Sequence, residues 1–399
     1  MNRIVIGLVV AGLVTLFNSY PALAQLMPSI KTAGNKRMSG QIKAPEEALT
    51  LSRFNKDGKV HILAVLEDNG ISVKGVDLSD ELRSYEQNSF NLIGNMNFNE
   101  VLGLIRRGSR KVTVKYSELL PALTSDRHLA IGINYEEHGK ETGQVRPFMF
   151  PKLVRTDAAV QQLEYQEGWL LDHEVELGIV FPTNVCAVEE LDRMMIGFLV
   201  VNDFTDRAEL MRKMDSQNVT GGKGFPDAKS KKGFLPTGPY MVIPKNWRAF
   251  VKELQLELSV NGAVRQHGNA KDMVWNIDRI VEKSLAARGE KKSYYQEKMV
   301  KLFEGECIPA NSIIVTGTPS GVVFKAPAKG FIIGTVMRYI FTGAFFTEQM
   351  HPYILKKYLH KERKNPRYLK PGDFVESSIS YLGTISTTVT AHTAKLGCR

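Results

Sequence analysis

The sequence predicts an α+β fold that is mostly β. Short runs rich in β-branched and aromatic residues recur along the chain, bounded by Gly, Pro, Asn and Asp. Stretches with helical periodicity are few and short. No self-similarity at a period of roughly 20–50 residues points to a solenoid or propeller.

The elements follow in order. Met1-Asn2-Arg3 is a basic start, Ile4 to Phe17 is apolar and uncharged, and Ala22-Leu23-Ala24 places small residues before Gln25. This pattern predicts a signal peptide over residues 1–24, so the chain is expected to be exported, to a periplasm or outside the cell. The apolar run is shorter than the roughly 20 residues of a spanning helix. Residues 25–48 are polar and mixed and read as a flexible leader. Residues 49–119 read as a small N-terminal β-rich domain. In it, Val60–Val65 and Ile71–Val76 flank Asn69-Gly70, a hairpin signal, and helical stretches follow near Asp80–Glu86 and Phe98–Arg107. Residues 120–399 form the main domain, with strand-like runs at Ala130–Ile133, Val175–Phe181, Ile196–Val201, Tyr240–Ile243, Leu254–Val260 and Ile313–Thr316. Phe374–Ile379 and Thr384–Thr390 close it, and Asn276–Ala287 is its clearest helix. Between Ile313–Thr316 and Phe374–Ile379 lies an insertion at about 331–367, apolar in its first half and basic in its second.

The net charge of +10 comes from dispersed Lys and Arg without a nucleic-acid-binding module, so no nucleic-acid partner is expected. Cys186, Cys307 and Cys398 allow at most one internal disulfide, and no Cys pair has metal-ligand spacing.

The chemistry concentrates in Asp172-His173-Glu174-Val175-Glu176. On a strand, alternate side chains share a face, so Glu174 and Glu176 point together and Asp172 is a candidate to join them. Adjacent carboxylates raise one another's pKa. A hard divalent cation relieves that conflict through oxygen ligands. The apolar run Gly197–Val201 ends at Asn202-Asp203, where Asp203 is either a third ligand or a helix N-cap. Other site types are excluded. Leu177 stands where a zinc-protease helix needs its second His. Ser320 is displaced by one from a nucleophile elbow. Gly222-Lys223 lacks the rest of a phosphate-binding loop.

Several segments resemble motifs of the fumarylacetoacetate hydrolase family, in the family's order. Gly132-Ile133-Asn134-Tyr135-Glu136-Glu137-His138-Gly139-Lys140-Glu141 is similar to its G-x-N-Y-x-x-H-x-x-E element, and Phe150-Pro151-Lys152 to its F-x-K segment. Asp172-x-Glu174-x-Glu176-Leu177, Asn202-Asp203-x-x-x-Arg207, the stretch from Lys229-Ser230 to Gly238-Pro239, and Thr316-Gly317-Thr318-Pro319-Ser320-Gly321-Val322 follow. The resemblance implies a mixed β-roll of twisted sheets. It makes Glu174, Glu176 and Asp203 ligands of Mg²⁺ or Mn²⁺, with Ca²⁺ as an alternative. It makes His138 and Glu141 a dyad that activates water and Lys229 a stabiliser of substrate charge. It sets Tyr135, Lys152, Arg207 and Thr318 against substrate. The implied activity is metal-dependent hydrolysis of a C–C bond in a 2-oxo acid or 1,3-dicarbonyl, of the acylpyruvate or fumarylacetoacetate type, through a metal-stabilised enolate. The same groups suit a decarboxylase or isomerase of related acids, and a non-catalytic exported binding protein is the alternative of another class. The resemblance also implies a homodimer acting on a small molecule. The insertion is expected to wall the pocket or the adjacent dimer interface, and peripheral membrane contact is the less favoured alternative.

Overall fold

The computed structural model describes residues 41–392 apart from Val145. The expected signal peptide, residues 25–40 of the leader and Cys398 lie outside the described residues. The end of the expected leader belongs to the fold: Lys43 bridges to Glu253 at 2.8 Å, and Ala48 opens the first strand.

Two sheets carry the architecture. The larger has ten strands, in the order Lys111–Lys115, Ser72–Asp77, Lys59–Asp68, Ala48–Lys56, Tyr240–Pro244, Gly197–Asn202, Val175–Val180, Ile313–Val315, His128–Gly132 and Phe148–Lys152. All neighbours are antiparallel except Ile313–Val315 with His128–Gly132. The second has five strands, Ala263–Asn269, Gln255–Val260, Phe374–Ile379, Gly383–Ala391 and Val160–Tyr165. The mixed-sheet expectation therefore holds.

The N-terminal strands are not a domain of their own. Ala48–Lys56 pairs antiparallel with Tyr240–Pro244, from Ala48 opposite Pro244 to Ser52 opposite Tyr240. This continuous ladder satisfies the edge that a separate sheet would leave open. The Asn69-Gly70 turn forms as read, with Gly70 at φ 79°. The strands at the centre, Val175–Val180 and Gly197–Asn202, are buried at every position. Strands covered on both faces read as unbroken apolar runs, so the one acidic residue within the first of them, Glu176, is the informative exception.

The insertion is helical. Lys329–Phe341 and Met350–Glu362 are its two helices, each of 13 residues. The second packs into the body through Tyr358 and Leu359, which cluster with Ala208, Met211 and Val323. The first leaves Ile333, Met337, Ile340 and Phe341 exposed, at the i, i+4, i+7, i+8 spacing of one helix face. Among the described residues no helix is long and apolar enough to cross a membrane.

Cys186 and Cys307 form a disulfide across a sequence separation of 121. It staples the loop after Val175–Val180 to the one before Ile313–Val315, where Val185 and Ile308 exchange backbone hydrogen bonds. Closing so long a loop limits the unfolded chain. Cys186→Ser is therefore expected to lower stability by about 2–4 kcal/mol. The urea midpoint, with and without reductant, checks this. A midpoint insensitive to both would mean that the bond contributes nothing.

Candidate metal centre

The central hairpin builds the cluster. Val175–Val180 pairs with Gly197–Asn202 so that Glu176 faces Val201 and Val175 faces Asn202. Asp203 follows directly, and its N–H donates to the Glu174 carbonyl at 2.8 Å. Strand alternation puts Glu174 and Glu176 on one side, and the pairing brings Asp203 to them. One carboxylate oxygen from each of the three lies within 4.8 Å of the others, and all three residues are buried.

Three cations surround them. Arg207 Nε donates to Asp172 Oδ2 at 2.8 Å, and its Nη2 pairs with Glu174 Oε1. Lys229 Nζ pairs with Glu174 Oε2 and donates to Asp203 Oδ2 at 2.8 Å. Lys152 Nζ donates to Asp203 Oδ1, to the Lys229 carbonyl at 2.5 Å and to the Phe234 carbonyl at 3.1 Å. Three acceptors and no donor around one amine are what an ammonium requires. Burial would raise the Glu174 pKa, but Lys229 and Arg207 outweigh it and hold the carboxyl below its usual range. Burial would lower that of Lys229, but Asp203 and Glu174 outweigh it and keep the amine charged.

Glu176 differs. Among the described residues no cationic side chain pairs with it, and its Oε2 accepts only the Gly317 N–H, at 2.5 Å. Burial, with Asp203 and Glu174 nearby, drives its pKa well above the carboxylate range. A buried carboxylate beside two others, with oxygen donors only, fits a hard divalent cation. Glu174, Glu176 and Asp203 would hold it. A second acidic group, His61 with Asp77 and Asp80, is already matched from within. Lys56 reaches Asp80 at 2.5 Å, and His61 Nδ1 lies 2.8 Å from Asp77.

A cavity of about 270 Å³ lies over the cluster. Its lining includes the three carboxylates, Arg207, Lys229, His138 and Thr318. His138 sits on the helix Glu136–Thr142, buried, with Nδ1 lacking a hydrogen-bond partner. Glu141 is on the same helical face, 3.7 Å from that nitrogen, and accepts the Gly321 N–H at 3.0 Å. The loop Gly317–Gly321 makes two of these contacts possible. At Gly317 (φ +96°) a Cβ would come within 2.7 Å of the Asn134 Cβ, and at Gly321 (φ +111°) within 2.0 Å of the Arg265 carbonyl oxygen.

Three expectations need correction. Asp172 does not join the cluster. Its carboxylate pairs with Arg207 and accepts the Val323 and Phe324 N–H groups at 3.0 and 3.1 Å, fixing the loop that leads to the insertion. Lys152 is not placed against substrate. It is fully buried, absent from the cavity lining, and holds Asp203 from behind. Tyr135 lines a different crevice. Thr318 lines the cavity, and its hydroxyl donates to the Val175 carbonyl at 2.9 Å and accepts from Gln266 at 2.8 Å. Lys152→Met is accordingly expected to lower stability by about 3 kcal/mol, because it leaves Asp203 buried beside fewer cations. Thermal unfolding checks this, and intact stability with a raised KM would return Lys152 to substrate contact.

Sequence reading missed Gln266, which ties the Val175 N–H, Thr318 and the Pro319 carbonyl together. It also missed the apolar side of the cavity from Met211, Met214 and Phe225. No local pattern marks either. The favoured expectation that the insertion walls the pocket agrees with the positions of Ile354, Leu355 and Tyr358, all in the lining.

Residues 127–390 match the family model described as "Fumarylacetoacetate (FAA) hydrolase C-terminal". The chain is 25% identical over 346 residues to a fumarylacetoacetate hydrolase domain-containing protein 2 homolog of Dictyostelium discoideum, covering 82% of this chain and 91% of that one. It is 29% identical over 204 residues to a 2,4-didehydro-3-deoxy-L-rhamnonate hydrolase of a Sphingomonas species, covering 49% of this chain and 61% of that one. Among solved structures, a fumarylacetoacetate hydrolase from Exiguobacterium antarcticum superposes with a TM-score of 0.54 at 23% identity, covering 86% of this chain and all of the other. That likeness carries the fold.

Proposed function

The chain belongs to the fumarylacetoacetate hydrolase family, and from that premise we propose that it hydrolyses a C–C bond in an anionic 2-oxo acid or 1,3-dicarbonyl of the acylpyruvate type. Enzymes of this family are hydrolases and isomerases acting at C–C bonds of related small molecules. One observation carries the finer reading. Three buried carboxylates meet under a cavity, one of them without a cationic partner among the described residues, and His138, 3.7 Å from Glu141, lines the same cavity.

Glu174, Glu176 and Asp203 would hold Mg²⁺ or Mn²⁺, which would supply a Lewis acid to the site. The protein's own residues do the rest. Asp172, Glu174 and Asp203 pair with Lys152, Lys229 and Arg207, and Glu176 has no cationic partner among the described residues. With a divalent ion held there and Glu176 ionised, the cluster would carry one positive charge in excess, which suits an acid substrate. Lys229 stays an ammonium and stabilises negative charge that develops on a substrate oxygen. Arg207 and Lys152 are positioning residues that fix Glu174 and Asp203. His138 takes a proton from water through its imidazole. Burial would raise the Glu141 pKa, but His138 and the Gly321 N–H outweigh it, so Glu141 stays anionic and can orient the ring. The 3.7 Å gap between them is of the kind that tightens when substrate binds. The resulting hydroxide adds to the distal carbonyl carbon. The bond from that carbon to the neighbouring carbon breaks, and the electron pair leaves as an enolate that is then protonated.

Product analysis tests this. Metal-supplemented protein given an acylpyruvate should yield pyruvate and a second carboxylic acid in equal amounts. Release of CO₂ from oxaloacetate, or enol–keto conversion without cleavage, would establish the decarboxylase or isomerase reading instead. Water activation is needed only for cleavage, so the pairing of His138 with Glu141 beside the cavity favours hydrolysis. Export is part of the proposal: the Cys186–Cys307 disulfide supports it, because such bonds persist in oxidising compartments. So is a homodimer, supported by the uncovered apolar face of the helix Lys329–Phe341.

A further inference from the structure

We propose that the acid processed here carries an apolar tail, and that the second insertion helix, Met350–Glu362, selects it. This rests on the reading of the site as one for 2-oxo acids and adds the class of substituent.

The cavity is divided by chemistry. One part carries the carboxylates, Lys229, Arg207 and His138; the remainder is lined chiefly by Met211, Met214, Phe225, Phe324, Ile354 and Leu355. The hydroxyls of Tyr358 and Thr318, both in the lining, are already used within the protein. The Tyr358 hydroxyl donates to the Lys325 carbonyl at 2.5 Å, so the ring faces the cavity without a free donor. The Thr318 hydroxyl is used between Val175 and Gln266. His351 and Ser216, polar members of the lining, are exposed and mark the solvent side. Between that mouth and the charged part, the wall offers thioether, aliphatic and aromatic surface.

The wall is fixed in place. Tyr358 and Leu359 are buried with Leu170, Ala208, Met211 and Val323 in one apolar cluster, against which Leu355 and Phe324 pack. Phe331, from the first insertion helix, meets Tyr358 at 5.4 Å between ring centroids. The second helix is therefore seated on the body over the cavity, and its Ile354 and Leu355 form lasting wall. A compact oxygen-rich acid would fill the charged part and leave the apolar remainder wet. An alkyl or aryl acyl group would displace that water onto a complementary surface. Each methylene so buried strengthens binding by about three- to fourfold.

The test is titration calorimetry with the mature chain, Mg²⁺ and a series of 2,4-dioxo acids whose acyl group lengthens from methyl to nonyl. Affinity is expected to rise about three- to fourfold per methylene until the cavity is full, then level off. Leu355→Ser should reduce the long-to-short affinity ratio at least about tenfold, the effect of losing a buried aliphatic contact. Ile354→Ser, at the neighbouring position, should move the ratio the same way and guards against a folding defect in either variant. If the short members bind and are cleaved but affinity is flat with length, the tail proposal is overturned and the acid-cleaving site stands. If no member of any length binds or is turned over, the reading of the site fails and the tail proposal falls with it.

Discussion

His138→Ala should lower the rate of C–C hydrolysis by about 10²–10⁴-fold, the usual cost of a lost general base. It should leave metal affinity in place. The separation of these effects is the point of the experiment. His138 belongs to the cavity lining from the helix Glu136–Thr142, not from the strands that carry the carboxylates, so its loss does not disturb the cluster. Glu141, 3.7 Å from its Nδ1, still accepts the Gly321 N–H when the ring is removed. Stopped-flow rates with an acylpyruvate, beside Mn²⁺ titration of the same variant, give both readouts. A full hydrolytic rate would assign water activation to another group. A full rate on a decarboxylated substrate alone would favour decarboxylation, which needs no activated water.

Glu176→Ala is expected to abolish divalent-ion binding while the fold persists. The loss should exceed the 10–100-fold cost of removing a partner that only supports a ligand, so about 100-fold is its lower bound. Glu176 lies within the central strand, yet without an ion it repels Asp203 and Glu174, and burial adds to its cost of ionising. Alanine removes that conflict, which is why stability should survive. The pH dependence follows from the same cause. The folded metal-free pKa of Glu176 is raised, so a proton and the cation compete for this carboxylate. Metal affinity is therefore expected to fall as pH drops, by up to about tenfold per unit below the raised pKa, and to level off above it. Calorimetry across pH, in buffers of different protonation enthalpy, also reads the proton released on binding. Unchanged Mn²⁺ affinity in Glu176→Ala would remove Glu176 from the site.

The parts of this protein that were legible in its sequence are those set by local pattern. The strand Phe374–Ile379 and the helix Phe98–Arg107 form with the bounds read for them, the helix closed by a capping box between Asn97 and Glu100. The period of two in Glu174-x-Glu176 and the apolar strand ending at Asp203 were enough to suggest the carboxylate cluster. What was hidden depends on distant pairing and on depth. Nothing near Ala48–Lys56 reveals that its partner is Tyr240–Pro244, so the first strands looked like a separate domain. Lys152 shows its charge in the sequence but not its burial, and only the structure reveals that all its donors are used inside the protein. The insertion concealed its helices because Gly334 and Gly343 interrupt an apolar run with weak periodicity. Its place over the cavity follows from the contacts of Tyr358 and Leu359 with the body.

The central claim is that Glu174, Glu176 and Asp203 hold a divalent cation on which acid cleavage depends. Its most direct test is the hydrolysis of an acylpyruvate by chelator-stripped protein, with and without added Mg²⁺ or Mn²⁺. The account predicts no cleavage in the stripped state and full recovery at one ion per chain. Cleavage at full rate in the presence of excess chelator would contradict it.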